Sequence, residues 1–276
     1  MEMPEPLRGA DRMCSLGRFP DEQESALAVS RQDFEDAVAA YWGVKDTQLE
    51  VSKIRNAVGA GTAGSVRSGK HFDALAALLA KFFLDAGYPP ADIRISGQGL
   101  SLPGYYRPQK KWDVVVTHGT TLVAAFELKA LGGGKEDDGY SKNYNNRIEE
   151  ALGSAVDLQR ASQPPFYSGE KPWLGYFFIM EDTPGSRSAI RIDNGPFSVE
   201  DKWYGMSYQG RFAEYCRRLK AEEIYDEVCY ITSSASDPKP KEPVDTLDWL
   251  HFSAAINSRI QYLAELGIPQ DDMLPL

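Results

Sequence analysis

Nowhere does the chain approach the roughly 18 uninterrupted apolar residues a membrane helix needs. It is also poor in cysteine and histidine and has no excess of positive charge. Each shortage removes a class of protein. Cys14, Cys216 and Cys229 are odd in number and far apart. They fit neither a disulfide framework nor a zinc site, so a reducing cytoplasm is the expected home. His71, His118 and His251 are scattered and suggest no histidine-based nucleophilic mechanism. The opening MEMPEPLRGADRMCSLG carries early acids and no apolar h-region, so it is not expected to be a secretory signal. A net charge of −10 and a pI near 4.9 argue against a protein that coats nucleic acid indiscriminately. They leave room for a DNA enzyme with its lysines and arginines gathered on one face. The glycines of NAVGAGTAGSVRSG (56–69) do not have phosphate-loop spacing, and Lys70 is followed by histidine.

What is present is a full core: 276 residues, 42% hydrophobic and 25% charged, enough for one large domain. Residues 1–69 read as a proline-bearing arm, a helix capped by Ser30 and Asp33, and a flexible glycine–serine loop. Residues 70–276 read as the main body, integrated with the first part as one domain. Phe72, Leu75, Leu78, Leu79, Phe82 and Phe83 recur at helical steps, and Gly87 and Pro89-Pro90 end that helix. Strands are expected at 92–96, 111–117, 121–129, 173–180 and 227–232. Helices are expected at 147–161 and 211–220 and from Trp249 to Leu263. Residues 233–243 (SSASDPKPKEP) read as a surface loop. The order predicts a mixed α/β (α+β) fold, one central mixed sheet flanked by helices.

Asp113 begins the 111–117 strand, and Glu127-Leu128-Lys129 ends the next one. Hydrolysis of a phosphodiester needs an activated water, a charge sink and help for the leaving oxygen. A hard divalent cation on one or two carboxylates can supply these, and magnesium binds in that way. Lys129 lies two residues past Glu127, on the same strand face. A three-residue hairpin loop (118–120) pairing Thr117 with Thr121 would place Asp113 opposite Ala125 and diagonal to Glu127, roughly 7–8 Å away. A two-residue loop pairing Thr117 with Thr120 would send Asp113 to the other face unless a bulge intervened. The bland alternative is an edge salt bridge. Glu127 closing the apolar run LVAAF speaks against it, because a charge there needs a reason.

LPGYYRPQKKWDVVV, LVAAFELKA and NYNNRIEEALGSAVDL together resemble the core of XhoI-type restriction endonucleases, within the PD-(D/E)xK nuclease superfamily. The likeness spans roughly residues 70–265. The proline of the motif would be Pro108, five residues before Asp113 and not adjacent to it. The resemblance implies a restriction-endonuclease-like core in a bacterial or archaeal cytoplasm, a homodimer, and magnesium-dependent cutting of a palindromic duplex similar to CTCGAG. A cognate methyltransferase would be present in the cell but not as a stable subunit. It also implies Asp113 and Glu127 as metal ligands, the Leu128 carbonyl as a third, and Lys129 as the catalytic lysine.

Asp73 is a candidate accessory acid, with helix-dipole stabilisation as the alternative. Arg107, Lys110 and Lys111 are candidate phosphate contacts. Asn143, Asn145, Asn146 and Arg147 are candidate DNA contacts, set against turn and capping chemistry. A repair, junction-resolving or modification-dependent nuclease, and a catalytically silent DNA-binding protein, are the competing readings.

Overall fold

The computed structural model describes residues 29–57, 69–132, 139–162, 170–193 and 195–268. The N-terminal arm up to residue 28 with Cys14, most of the glycine–serine loop (58–68) and the acidic cluster at 136–138 lie outside the described residues.

Helix α1 (Arg31–Ala57) begins where the sequence places it. The Asp33 carboxylate accepts from Ser30 N–H at 2.9 Å, and Asp33 N–H donates to Ser30 Oγ at 3.1 Å. This reciprocal pair is a capping box with aspartate as its acid. Phe34, Val38, Tyr41 and Trp42 then form one buried face. Ser30→Ala is expected to cost about 1 kcal/mol in urea unfolding. No measurable loss would mean that packing of Phe34 alone holds the helix start. Helix α2 (Asp73–Asp85) buries its periodic leucines and phenylalanines, and Gly87 follows at φ 89°, a conformation glycine adopts without strain.

The main sheet is built from β1 (Ile93–Arg94), β4 (Val114–His118), β5 (Thr121–Leu131), β6 (Trp173–Glu181), β7 (Glu227–Ser234) and β8 (Asp237–Lys241), in the order β1-β4-β5-β6-β7-β8. β5, β6 and β7 run parallel, and the remaining neighbours are antiparallel. Every residue of β6 from Trp173 to Met180 is buried, as expected of a strand covered on both faces. One face carries α1, α2 and α6 (Trp249–Glu265). The other carries α3 (Gly139–Ala161) and α5 (Tyr208–Ala221), the one-turn α4 (Pro184–Arg187) preceding α5 in the chain. Among the described residues no helix is long and apolar enough to cross a membrane.

Four expectations need correction. Residues 233–243 contain strand β8, paired with β7, despite Pro238 and Pro240. An edge strand pairs on one side, so prolines are tolerated there and also blunt the edge. Helix α3 starts at Gly139, not Arg147. Tyr140 and Tyr144 pack on Tyr208 and Phe212, and that packing outweighs the weak helix propensity of Asn143, Asn145 and Asn146. The 111–117 strand is broken at Trp112-Asp113. Its first part, β3 (Gln109–Lys111), pairs with β2 (Ser101–Pro103) in a separate two-stranded sheet. Finally, the β4–β5 turn has two residues, with His118 opposite Thr121 and Gly119 at φ 54°.

Candidate active site

That shorter turn would reverse the faces of β5, but a bulge restores them. The register shifts between Val116 and Thr117, so that Val116 faces Ala124 while Thr117 faces Leu122. Val123 and Ala124 consequently both enter the same core. Beyond the bulge, Val114 faces Phe126, and the paired register ends there, so Asp113 does not stand opposite Ala125 as expected. Asp113 nevertheless comes within electrostatic reach of Lys129, Glu127 and Lys110.

Asp113 lies where β4 leaves the sheet. Trp112 N–H turns away to Leu100 O at 2.8 Å, and Asp113 N–H donates to Phe126 O at 3.1 Å. The Asp113 carboxylate itself accepts from Leu128 N–H at 2.8 Å. A strand residue projects its N–H and C=O to the same side, so the Leu128 carbonyl also lies toward Asp113.

Glu127 is 1% exposed and is held from three directions. Lys129 Nζ is 2.9 Å from Oε1, Lys110 Nζ is 3.1 Å from Oε2, and the Tyr225 hydroxyl lies 3.1 Å from Oε2 and 3.1 Å from Ala151 O. Asp113, Glu127, Lys110 and Lys129 form a quartet whose formal charges cancel, the condition under which charges survive burial. Burial would lift the Glu127 carboxyl, but Lys110 and Lys129 outweigh it and hold it below the usual range. At Asp113 burial prevails over Lys129 and the Leu128 N–H, and the carboxyl is raised. Burial would lower Lys129, yet Glu127 and Asp113 raise it overall. At Lys110 burial prevails over Glu127 and lowers the ammonium.

The remaining candidates divide. Asp73, the first residue of α2, lines a cavity of about 390 Å³ together with Asp113, Leu128 and Lys111. Lys110 lies inside the quartet rather than at its rim, with its ammonium also 4.2 Å from the Trp112 ring centroid. Arg107 Nε donates to Asp157 at 2.7 Å. Arg147 Nε donates to the Ala130 carbonyl at 3.2 Å, one residue past Lys129, and pairs with Glu150 at 2.7 Å. Helical spacing puts Asn143, Asn146 and Arg147 on one flank of α3 and Asn145 on another. Asn143, Asn145 and Asn146 are exposed.

Tyr225 and Asp157 escaped the sequence reading. Each meets its partner from a distance of 98 or about 50 residues in sequence, and no local motif marks either.

Among the described residues no group of three or more His, Cys, Asp or Glu converges as a ready metal cage. Two carboxylates and a carbonyl remain, a hard all-oxygen set of the kind magnesium accepts with water in its other positions. These are donors that would suit a single divalent cation.

The chain is 36% identical over 184 residues to the type II restriction enzyme XhoI of Xanthomonas vasicola, covering 66% of this chain and 72% of that protein. It is 32% identical over 215 residues to the type II restriction enzyme BstVI of Geobacillus stearothermophilus (75% and 94%). It is also 32% identical over 175 residues to the type II restriction enzyme AbrI of Azospirillum brasilense (62% and 76%). No solved structure matches. The family described as restriction endonuclease XhoI matches residues 52–242, a span that takes in β4, β5 and the whole quartet, and the chain belongs to that family.

Proposed function

We propose that the chain makes magnesium-dependent double-strand cuts at a short palindromic DNA site, similar to CTCGAG, as a homodimeric type II restriction endonuclease. The observation that carries this reading is Glu127, a buried carboxylate clasped by two lysines, with Asp113 within electrostatic reach of all three. A structural ion pair does not need four charges gathered at the open end of a sheet.

Asp113, Glu127 and the Leu128 carbonyl would hold the cation. When bound, it supplies Lewis acidity and a water of lowered pKa. Lys129, kept protonated by both carboxylates, donates to a phosphate oxygen and offsets the charge that builds there during displacement. Lys110 and Tyr225 fix the Glu127 carboxylate so that little reorganisation is needed. Asp73 joins the site through the shared cavity. Arg107, Lys111, Asn143, Asn145, Asn146 and Arg147 would contact the duplex around it. A nuclease of this kind endangers its own genome, so a methyltransferase of matching specificity would accompany it in the cell without being a subunit.

Digesting a plasmid of known sequence with magnesium and sequencing the ends tests the reading. Discrete fragments sharing one palindrome at their ends are expected. A smear or structure-dependent nicks would favour a repair, junction-resolving or modification-dependent nuclease, and no cutting at all would favour a silent DNA-binding protein.

A further inference from the structure

The two most exposed tyrosines among the described residues stand side by side, Tyr106 at 71% and Tyr105 at 61%. Their rings are 4.9 Å apart at 83°. They occupy the tip of the β2–β3 hairpin, whose second strand places Lys110 in the catalytic quartet and runs on through Trp112 to Asp113.

Exposed aromatic tips are ordinarily mobile. This one is tied down. The Asp157 carboxylate of α3, only 4% exposed, accepts from Tyr105 N–H, Tyr106 N–H and Arg107 Nε, each at 2.7 Å. Gly104 completes the fit, because a Cβ there would come within 2.7 Å of the Arg107 carbonyl and closer still to the Asp157 carboxylate. Below the tip, Leu100, Leu102 and Trp112 are buried in the same core as α3. A carboxylate has thus been buried to immobilise a loop whose two large rings touch solvent. That cost has no return in core packing, and it suits a surface that must be preformed for a partner.

The surroundings indicate which partner. Arg107, Lys110 and Lys111 follow the tyrosines within five residues, with no acid among them. Lys111 lines the cavity shared with Asp113. Lys110 is held by Glu127, but Lys111 is exposed, and positive charge flanking aromatic faces suits nucleic acid, where phosphates meet the cation and bases or sugars meet the rings.

We propose that the β2–β3 tip is a preformed DNA contact, with Tyr105 and Tyr106 lying against the bases and sugars beside the scissile phosphate and Asp157 and Gly104 acting as positioning residues. This inference rests on the DNA-cleaving reading above.

The test measures binding of a short duplex, carrying the palindrome found at the plasmid ends, with magnesium and in a Lys129→Met background that slows cutting. Tyr105→Ala and Tyr106→Ala are each expected to weaken binding about tenfold. The slope of log affinity against log salt should not change, because no phosphate contact is lost. Gly104→Ala, which moves the tip while keeping both rings, should weaken binding to a similar degree. Lys111→Ala should instead reduce the slope by about 1. Both rings are exposed, so the double tyrosine variant should melt with its parent, and its melting curve is the control for folding. A double variant that binds within twofold of its parent overturns the inference. So does a loss of affinity that merely follows dissociation of a dimer seen by light scattering, which would assign the tip to contacts between copies. Failure of the cleavage reading looks different: the unsubstituted chain would then not cut the plasmid at one shared palindrome, whatever the tyrosine variants do to binding.

Discussion

Lys129→Met is expected to lower the rate of strand cleavage about 10³-fold while leaving duplex affinity within a few-fold of the parent. Methionine retains most of the length and apolar character of the lysine stem, so packing beside Glu127 changes little. What disappears is the ammonium 2.9 Å from Glu127. Its loss removes a donor aimed at a phosphate whose charge grows only during displacement, so the deficit should fall on kcat rather than on binding. Single-turnover cleavage and gel-shift titration at one magnesium concentration separate the two quantities. A variant cutting within tenfold of the parent would mean that the ammonium is structural and that the charge is offset elsewhere.

Lys110→Met should act on stability. Removing one partner of a buried ion pair costs about 3–5 kcal/mol when the other charge is left alone. Here Lys129 and Tyr225 remain on Glu127, so the lower end, about 3 kcal/mol, is expected in guanidinium unfolding with chelator present. The pH dependence has a definite sign. A depressed carboxyl contributes stability above its unfolded value and loses it as pH falls through its folded one. Lys110 is part of what depresses Glu127. The gap between parent and variant should therefore be widest near neutrality and narrow on acidification as Glu127 takes up its proton. A gap that stays constant as pH falls would show that the lysine acts through packing on Trp112 instead.

The elements that carry the site were legible in sequence because they obey local rules. Ser30 and Asp33 announce a helix start, LVAAF a buried strand, and WLGYFFIM a strand covered on both faces. Glu127 stood out because an acid closing an apolar strand has no business there without a partner. The turn was less legible. Its length and the bulge at Val123-Ala124 each shift the register, and their effects cancel, so the expected shared face came from a register that does not occur. Nothing local encodes a bulge. The prolines of β8 concealed an edge strand, and the asparagines of α3 concealed two turns of helix held by distant tyrosines. Lys110 read as a candidate phosphate contact, and its ion pair with Glu127 is visible only once the break at Trp112-Asp113 has placed β3. Tyr225 and Asp157 are tertiary partners brought in by folding. Their roles can be seen only once α3, α5 and the hairpin are placed together.

Both predictions assume that the quartet is the catalytic centre, and Asp113→Asn is the substitution that tests this most directly. The amide keeps the carboxylate's shape, and its oxygen can still accept from Leu128 N–H, so the protein should fold and bind duplex. The carboxylate charge that would hold the cation is lost. Magnesium-stimulated cleavage of a duplex carrying the palindrome, measured in a single turnover, is expected to fall at least about 10²-fold. An Asp113→Asn protein that cuts at the parent's rate across the same magnesium range would contradict the account.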